Sequence, residues 1–218
     1  MPDHENNFNT SLQHKKFFDG IHGLLVRMAP KEKDERQLHG HVFTPGERAE
    51  LRRMNPLKDR ERPPIFWKLL CKYEIIGTAE GSESPQDFSL QHEKAWAAVL
   101  QGMALTAENC RDAPEKKDFG AALGSIEGAG DALARRFDQL MRSRGDRFLD
   151  LLRCTLKMAN SKGCGFSWES LARLCVTDND DKRTYLISRL TKSFYLALWK
   201  SKKLAEENND TTFVKEND

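Results

Sequence analysis

The chain has 218 residues, 31% of them charged and 39% hydrophobic, the balance of a globular protein with a wet surface. A formal net charge of +2 excludes the strongly basic profile of a DNA-coating protein, so any nucleic-acid role must rest on a local patch. No apolar run approaches the roughly 18 residues of a membrane span, and the opening MPDHENNFNT lacks a basic-then-apolar leader pattern, so a cytoplasmic protein is expected.

Residues 1–10 are polar and read as loose. From Leu12 to Met28, Phe17, Phe18, Ile21, Leu24, Leu25 and Met28 recur at helical spacing, which predicts an amphipathic first helix ended by Pro30. A charged connector, Lys31 to Val42, leads to a start signal. Thr44 is the N-cap, Pro45 the first helical residue, and Glu47 closes a capping box. The helix it opens sets Arg48 and Arg52 one turn apart with Arg53 beside them, and Asn55-Pro56 stops it. After the linker LKDRER, Pro63-Pro64 starts a helix that buries Phe66, Leu69, Leu70 and Tyr73, with Trp67 on the margin. Gly77 to Gln86 is a loop by composition. Ser89 then caps a helix whose Trp96, Val99, Leu100 and Met103 face a core.

The polar stretch Ala107 to Asp118 is the expected domain boundary. Beyond it, FGAALGSIEGAGD is rich in glycine and predicts a bent start. Asp131 to Ser143 is helical, with Leu133, Phe137, Leu140 and Met141 inward, Arg135 and Arg142 on one outer face and Arg136 next to it. Asp146 is expected to cap the next helix, which buries Phe148, Leu152, Leu156 and Ala159. Asn160 to Gly165 is a turn. Ser167 is then expected as N-cap, Phe166 as a hydrophobic staple onto Leu171, and Trp168, Leu171, Ala172 and Cys175 as the buried stripe.

The last helix, Lys182 to Ala205, holds seven lysines and arginines and no acid. Ile187, Leu190, Phe194, Ala197 and Leu198 share its core stripe. Lys182, Arg189, Lys192, Lys200 and Lys203 project opposite, with Tyr185 and Trp199 among them. Such a face offers cations for phosphates and rings for stacked bases. The acidic tail from Glu206 is expected to be disordered. Alternating β-branched runs are missing throughout, so the fold class is all-α: two small helical bundles joined by a polar linker, spanning 1–108 and 116–205, followed by the tail 206–218.

No set of nucleophile, acid and base stands at workable spacing, which predicts a non-enzyme with no cofactor. His39 and His41 lie two apart with no cysteine nearby, too little for a metal site. Five cysteines, an odd count without C-x-x-C, read as reduced and mostly buried thiols. Gly120, Gly124, Gly128 and Gly130 lack both the preceding strand and the order of a phosphate loop, and read as helix bending or close packing.

The succession GERAELRR, PPIFWKLL, FGAALG, RRFDQLMR and FSWESLARL resembles the CasB family, the small subunit of the type I-E CRISPR surveillance complex Cascade. The proline-aromatic motif is carried by Pro64, Ile65, Phe66, Trp67, Lys68 and Leu69. The S-φ-G-R-A-L motif is carried by Asp118, Phe119, Gly120, Ala121, Ala122 and Leu123, so Ala121 stands where the family has arginine. The R-φ-x-x-L-φ-R pattern is complete in Arg136, Phe137, Leu140, Met141 and Arg142. Phe166, Ser167, Trp168 and Leu171 carry φ-D-W-x-x-L, with serine expected to keep the capping role of aspartate.

The resemblance implies a non-catalytic helical subunit, present in two copies, that contacts the backbone and large subunits of Cascade. It would help hold the guide RNA–target DNA heteroduplex and the displaced strand, an R-loop whose base-pair energies nearly balance so that protein contacts can tip it. The residues expected to form discontinuous parts of that track are Arg48, Arg52 and Arg53, then Arg136 and Arg142, then Lys182, Arg189, Lys192, Lys200 and Lys203. Two other readings of the residues stand beside it. One is an adaptor whose basic helix meets acidic proteins. The other is a stand-alone DNA-binding regulator, against which the chain lacks a compact helix-turn-helix with a polar recognition helix.

Overall fold

The structure, a computed structural model, describes residues 15–29, 43–58, 62–73, 75–76, 90–113, 117–127 and 130–215, with side chains from 16 to 204. Among them are nine helices and no strand, with one isolated bridge between Asp118 and Ser167. The expected all-α class holds. The chain divides into two compact units, Met1–Arg111 and Asp112–Asp218.

The first unit holds α1 (Lys15–Met28), α2 (Pro45–Arg53), α3 (Pro64–Lys72) and α4 (Leu90–Cys110). α4 is its axis. Every residue from Ala95 to Ala104 is buried, which marks a helix enclosed all round rather than one lying on a core. Its many alanines let neighbours approach, and α1 and α2 both pack on it. Trp96 lies 4.8 Å from the Phe17 ring, itself 5.5 Å from Tyr73, all edge-on, the favoured geometry for buried rings. The capping box of α2 forms as expected: the Glu47 N–H donates to Thr44 Oγ1 at 3.1 Å, and the Thr44 N–H donates to Glu47 Oε2 at 2.9 Å.

The second unit holds α5 (Phe119–Gly124), α6 (Asp131–Arg142), α7 (Gly145–Ser161), α8 (Glu169–Val176) and α9 (Asp180–Lys215). Here the glycines of FGAALG find their reason. A Cβ on Gly120 would stand 2.1 Å from the Leu190 carbonyl oxygen, and one on Gly124 2.3 Å from that of Phe194. α5 therefore lies backbone to backbone on α9, as the close-packing reading of these glycines requires. Asp118 caps α5, accepting from the Ala121 N–H at 2.9 Å, and also accepts from Ser193 Oγ of α9 at 2.7 Å. Phe137 of α6 stacks on Phe194 at 4.2 Å.

Four sequence expectations need correction. α8 begins at Glu169 with Trp168 in the cap position and no side-chain cap bond; Ser167 lies one residue before that position, its N–H donating to Lys117 O at 2.8 Å in the bridge to Asp118. Asp146 lies inside the first turn of α7, whose cap position is Arg144; there it complements the helix dipole instead. Cys71 and Cys154 are exposed and only Cys110 and Cys164 are fully buried, because the first two fall on outer helix faces. The backbone of 206–215 is helical, since no proline or glycine interrupts the chain from Lys182 to Lys215. The calls on Ser89, on the connectors Lys31 to Val42 and Gly77 to Gln86, on residues 1–10 and on His39 and His41 fall outside the described residues.

Candidate nucleic-acid interface

α9 turns Leu186, Leu190, Phe194 and Leu198 inward, all buried, while Ile187 and Ala197 of the expected stripe are half-buried at its edges. The opposite side carries Tyr185, Arg189, Lys192, Leu196, Trp199 and Lys203 at alternating four- and three-residue steps, so they form one straight stripe. All six are exposed, Tyr185 at 66% and Trp199 at 61%. Lys203 Nζ sits 5.8 Å from the Trp199 ring centre, within cation–π range. Lys182 and Lys200 flank the stripe and are exposed too.

Arg183 has the opposite fate. It is buried, donates to Leu174 O at 3.2 Å and Ser143 O at 3.1 Å, and lies 4.9 Å from the centre of the Phe148 ring. Burial, then the nearby Arg144 charge, pushes its pKa below the usual guanidinium value. Burial also pushes the neighbouring Cys175 thiol up to about 12, which keeps it protonated and unreactive.

α6 runs beside α9, tied by Tyr195 Oη donating to Asp138 Oδ2 at 2.8 Å and by Lys202 with Asp131 at 3.5 Å. The Asp138 bond, with burial and the carboxylate charge adding to it, raises the Tyr195 pKa, and Arg142 opposes that rise. Where α6 turns into α7, on the side of Asp138, opens a groove lined by Arg135, Asp138, Gln139, Arg142, Ser143, Arg144 and Arg147. Four guanidiniums thus face a single acid. Arg144 pairs with Asp180 at 2.5 Å. The side chains of Arg135, Arg136, Arg142 and Arg147, like those of Lys182, Arg189, Lys192 and Lys200 on α9, make no hydrogen bond or ion pair among the described residues.

The expected cations of the first unit stand differently. Arg48 Nη1 donates to Met28 O at 2.9 Å, satisfying a carbonyl at the end of α1. Arg52 donates to Ala104 O at 2.7 Å and pairs with Glu108 at 3.2 Å. Arg53 is exposed. The structure therefore brings Arg142 and the α9 cations into one unit, keeps Arg136 on the outside of α6 beside the groove, and engages Arg48 and Arg52 internally. Arg144 and Arg147 are groove residues that periodicity missed. They follow the break at Ser143, and a face computed along one helix cannot be carried across a turn into the next.

No helix among the described residues is long and apolar enough to cross a membrane, and no group of three His, Cys, Asp or Glu side chains is gathered there as a metal site would need.

Comparison with protein families adds a decisive observation: the family model of CRISPR-associated protein Cse2 matches residues 47–195, more than half of the chain. The chain belongs to this family. It is the family to which the five motifs point, so the protein is a subunit of a CRISPR Cascade complex, in a family of structural components. Comparison with curated proteins and with solved structures gives no match.

Proposed function

We propose that this Cascade subunit binds the sugar-phosphate backbones of the R-loop, without reading sequence, through the outer stripe of α9 and the arginine groove beside it. The observation that carries this reading is that the side chains of Arg135, Arg142 and Arg147 in the groove and of Lys182, Arg189, Lys192 and Lys200 on α9 have no acidic partner among the described residues, in a protein whose net charge is only +2. An unpaired exposed cation close to others is electrostatically unfavourable until an anion arrives, and a phosphate chain supplies anions at regular spacing. Tyr185 and Trp199 add faces on which unpaired bases stack, which favours the displaced strand as ligand of α9. Guide pairing supplies the sequence specificity, so charge and stacking suffice. Arg53, exposed in the first unit, can make a phosphate contact of its own, whereas Arg48 and Arg52 act first as structural donors. The other Cascade subunits, guide RNA, target DNA and a second copy of the chain are its partners on this reading, and the cytoplasm its compartment.

The test is target binding by the reconstituted guide-RNA complex with and without this chain, while footprinting the displaced strand. Weaker binding and loss of strand protection on omission, both restored by adding the chain back, are the expected results. An intact complex with unchanged protection would overturn the proposal and leave a protein-interaction role for the basic helix.

A further inference from the structure

α3 presents a second cationic surface, in the first unit. Its inward residues Ile65, Phe66, Leu69 and Leu70 are buried. Its outward residues Pro64, Trp67, Lys68, Cys71 and Lys72 are all exposed and follow the same helical spacing on the other side. Lys68 and Lys72 stand one turn apart, a like-charged pair that destabilises a helix unless something compensates it. Neither lysine forms a hydrogen bond or ion pair among the described residues. The Lys72 ammonium is pushed below its ordinary pKa, by burial first and then by the Arg27 charge.

Two concavities meet at these lysines. The wider one is open, floored by Pro64, Trp67 and Cys71, with Arg62 at its rim. Arg62 is already held by Glu93 at 2.7 Å. The narrower one is a cavity of about 70 Å³ floored by Phe43, Ile65 and Leu69, with Arg27, Lys68 and Lys72 around its mouth. Arg27 is likewise engaged, by the Gly23 carbonyl and the Tyr73 hydroxyl. The two lysines are therefore the cations with capacity to spare.

The sizes and charges select the ligand. A cavity that holds benzene measures about 150 Å³, so this one takes a small aliphatic group and no nucleobase. Its floor is apolar and its mouth is positive, the complement of an aliphatic side chain with carboxylates beside it. Trp67, held edge-on by Phe66 at 5.0 Å, is an exposed anchor of the kind enriched at protein interfaces. We propose that the outer face of α3 docks an acidic segment of a partner protein, with one aliphatic side chain entering the cavity between α3 and Phe43 and flanking carboxylates reaching Lys68 and Lys72. This surface is separate from α9 and its groove and does not depend on their binding nucleic acid.

Cys71 in the floor of the wider concavity provides the test, with exposed Cys154 as an internal control. The full chain is equilibrated under reversible thiol exchange with a mixture of tethered probes. These are a pentapeptide with a central leucine between acidic residues, its serine-centred counterpart, its lysine-flanked counterpart, and a four-thymidine oligonucleotide. The occupants of each cysteine are then identified by mass spectrometry. The acidic leucine peptide is expected to exceed every other probe about tenfold at Cys71 and to show no such preference at Cys154. In the Lys68→Gln, Lys72→Gln protein, whose unchanged thermal unfolding confirms its fold, the preference at Cys71 should vanish. Equal occupancy of the probes at Cys71, the same enrichment at Cys154, or no difference between the leucine and serine peptides would overturn the proposal. Preference of Cys71 for the oligonucleotide would also overturn it and assign the face to nucleic acid.

Discussion

In the first unit Arg48, Arg52, Arg62 and Arg111 all turn their guanidiniums onto backbone carbonyls, whereas in the second unit Arg135, Arg142 and Arg147 turn theirs into an open groove. The difference follows from how helices end. Their last carbonyls lack intrahelical partners, and where those ends are buried a long planar donor can satisfy them. Arg48 and Arg111 do so for Met28 and Ala29 at the end of α1, and Arg62 for Asn55 and Pro56 after α2. In the second unit Arg183 does this work once, for Leu174 and Ser143. The side chains of Arg135, Arg142 and Arg147 serve no carbonyl among the described residues. An arginine's function is thus decided by what lies within its reach, and two equally basic stretches of sequence can have opposite roles.

The comparison can be broken most severely by detaching α9 from its support. Gly120→Val places a side chain where the Leu190 carbonyl already stands, and neither backbone can yield cheaply. The loss should exceed about 4 kcal/mol, read as early unfolding of the second unit in denaturant, with nucleic-acid binding lost beside it. Next in size is Arg62→Met. It leaves the Glu93 carboxylate, largely buried, without its partner at 2.7 Å and strips two carbonyls of donors. A loss of about 3–5 kcal/mol is expected. A change below about 1 kcal/mol would mean that water replaces the guanidinium and that inward arginines of the first unit are dispensable.

A matched pair of double variants sharpens the contrast. Arg189→Gln with Lys192→Gln should leave stability within about 0.5 kcal/mol and lower the salt slope of target binding by about two units. Arg48→Gln with Arg52→Gln should do the reverse, costing about 1–3 kcal/mol of stability with little change in slope. Thermal unfolding and a salt titration of target binding read both. If the first-unit pair changed the slope as much as the α9 pair, Arg48 and Arg52 would be phosphate ligands despite their internal bonds.

Much of this was legible in the sequence because it is local. The Thr44 and Glu47 cap, the core stripe of α6 and the acid-free face of α9 each depend on spacing within one helix, and each is found in the structure. What could not be read depends on approach between distant segments. Gly120 and Gly124 signalled close packing, yet nothing local names the Leu190 and Phe194 carbonyls as the surface they meet. Ser167 has the composition of a cap, but it stands one residue before the cap position, in a bridge whose partner backbone lies fifty residues earlier at Lys117. Likewise the engagement of Arg48 with Met28, and the union of Arg142 with Arg147 across the Ser143 break, come from the packing of separate helices.

The smallest expected effect concerns the one groove arginine that has an acidic partner. Arg144 bonds Asp180 at 2.5 Å on an exposed surface, and that bond, then the Arg144 charge, holds the Asp180 carboxyl below its ordinary pKa. A carboxyl whose folded pKa is depressed contributes stability that is fully present above its unfolded value, here 3.8, and lost as pH falls through the folded one. Asp180→Asn should therefore melt slightly below the parent at neutral pH, and the gap should close by about pH 2. The same variant frees Arg144 toward the groove, so the salt slope of target binding should rise, by at most about one unit. A melting gap that persists in acid would show that Asp180 acts through contacts that do not need its charge rather than through Arg144. A slope that stays fixed while the gap closes would show that Arg144 does not reach a phosphate even when released, leaving Arg135, Arg142 and Arg147 as the binding cations of the groove.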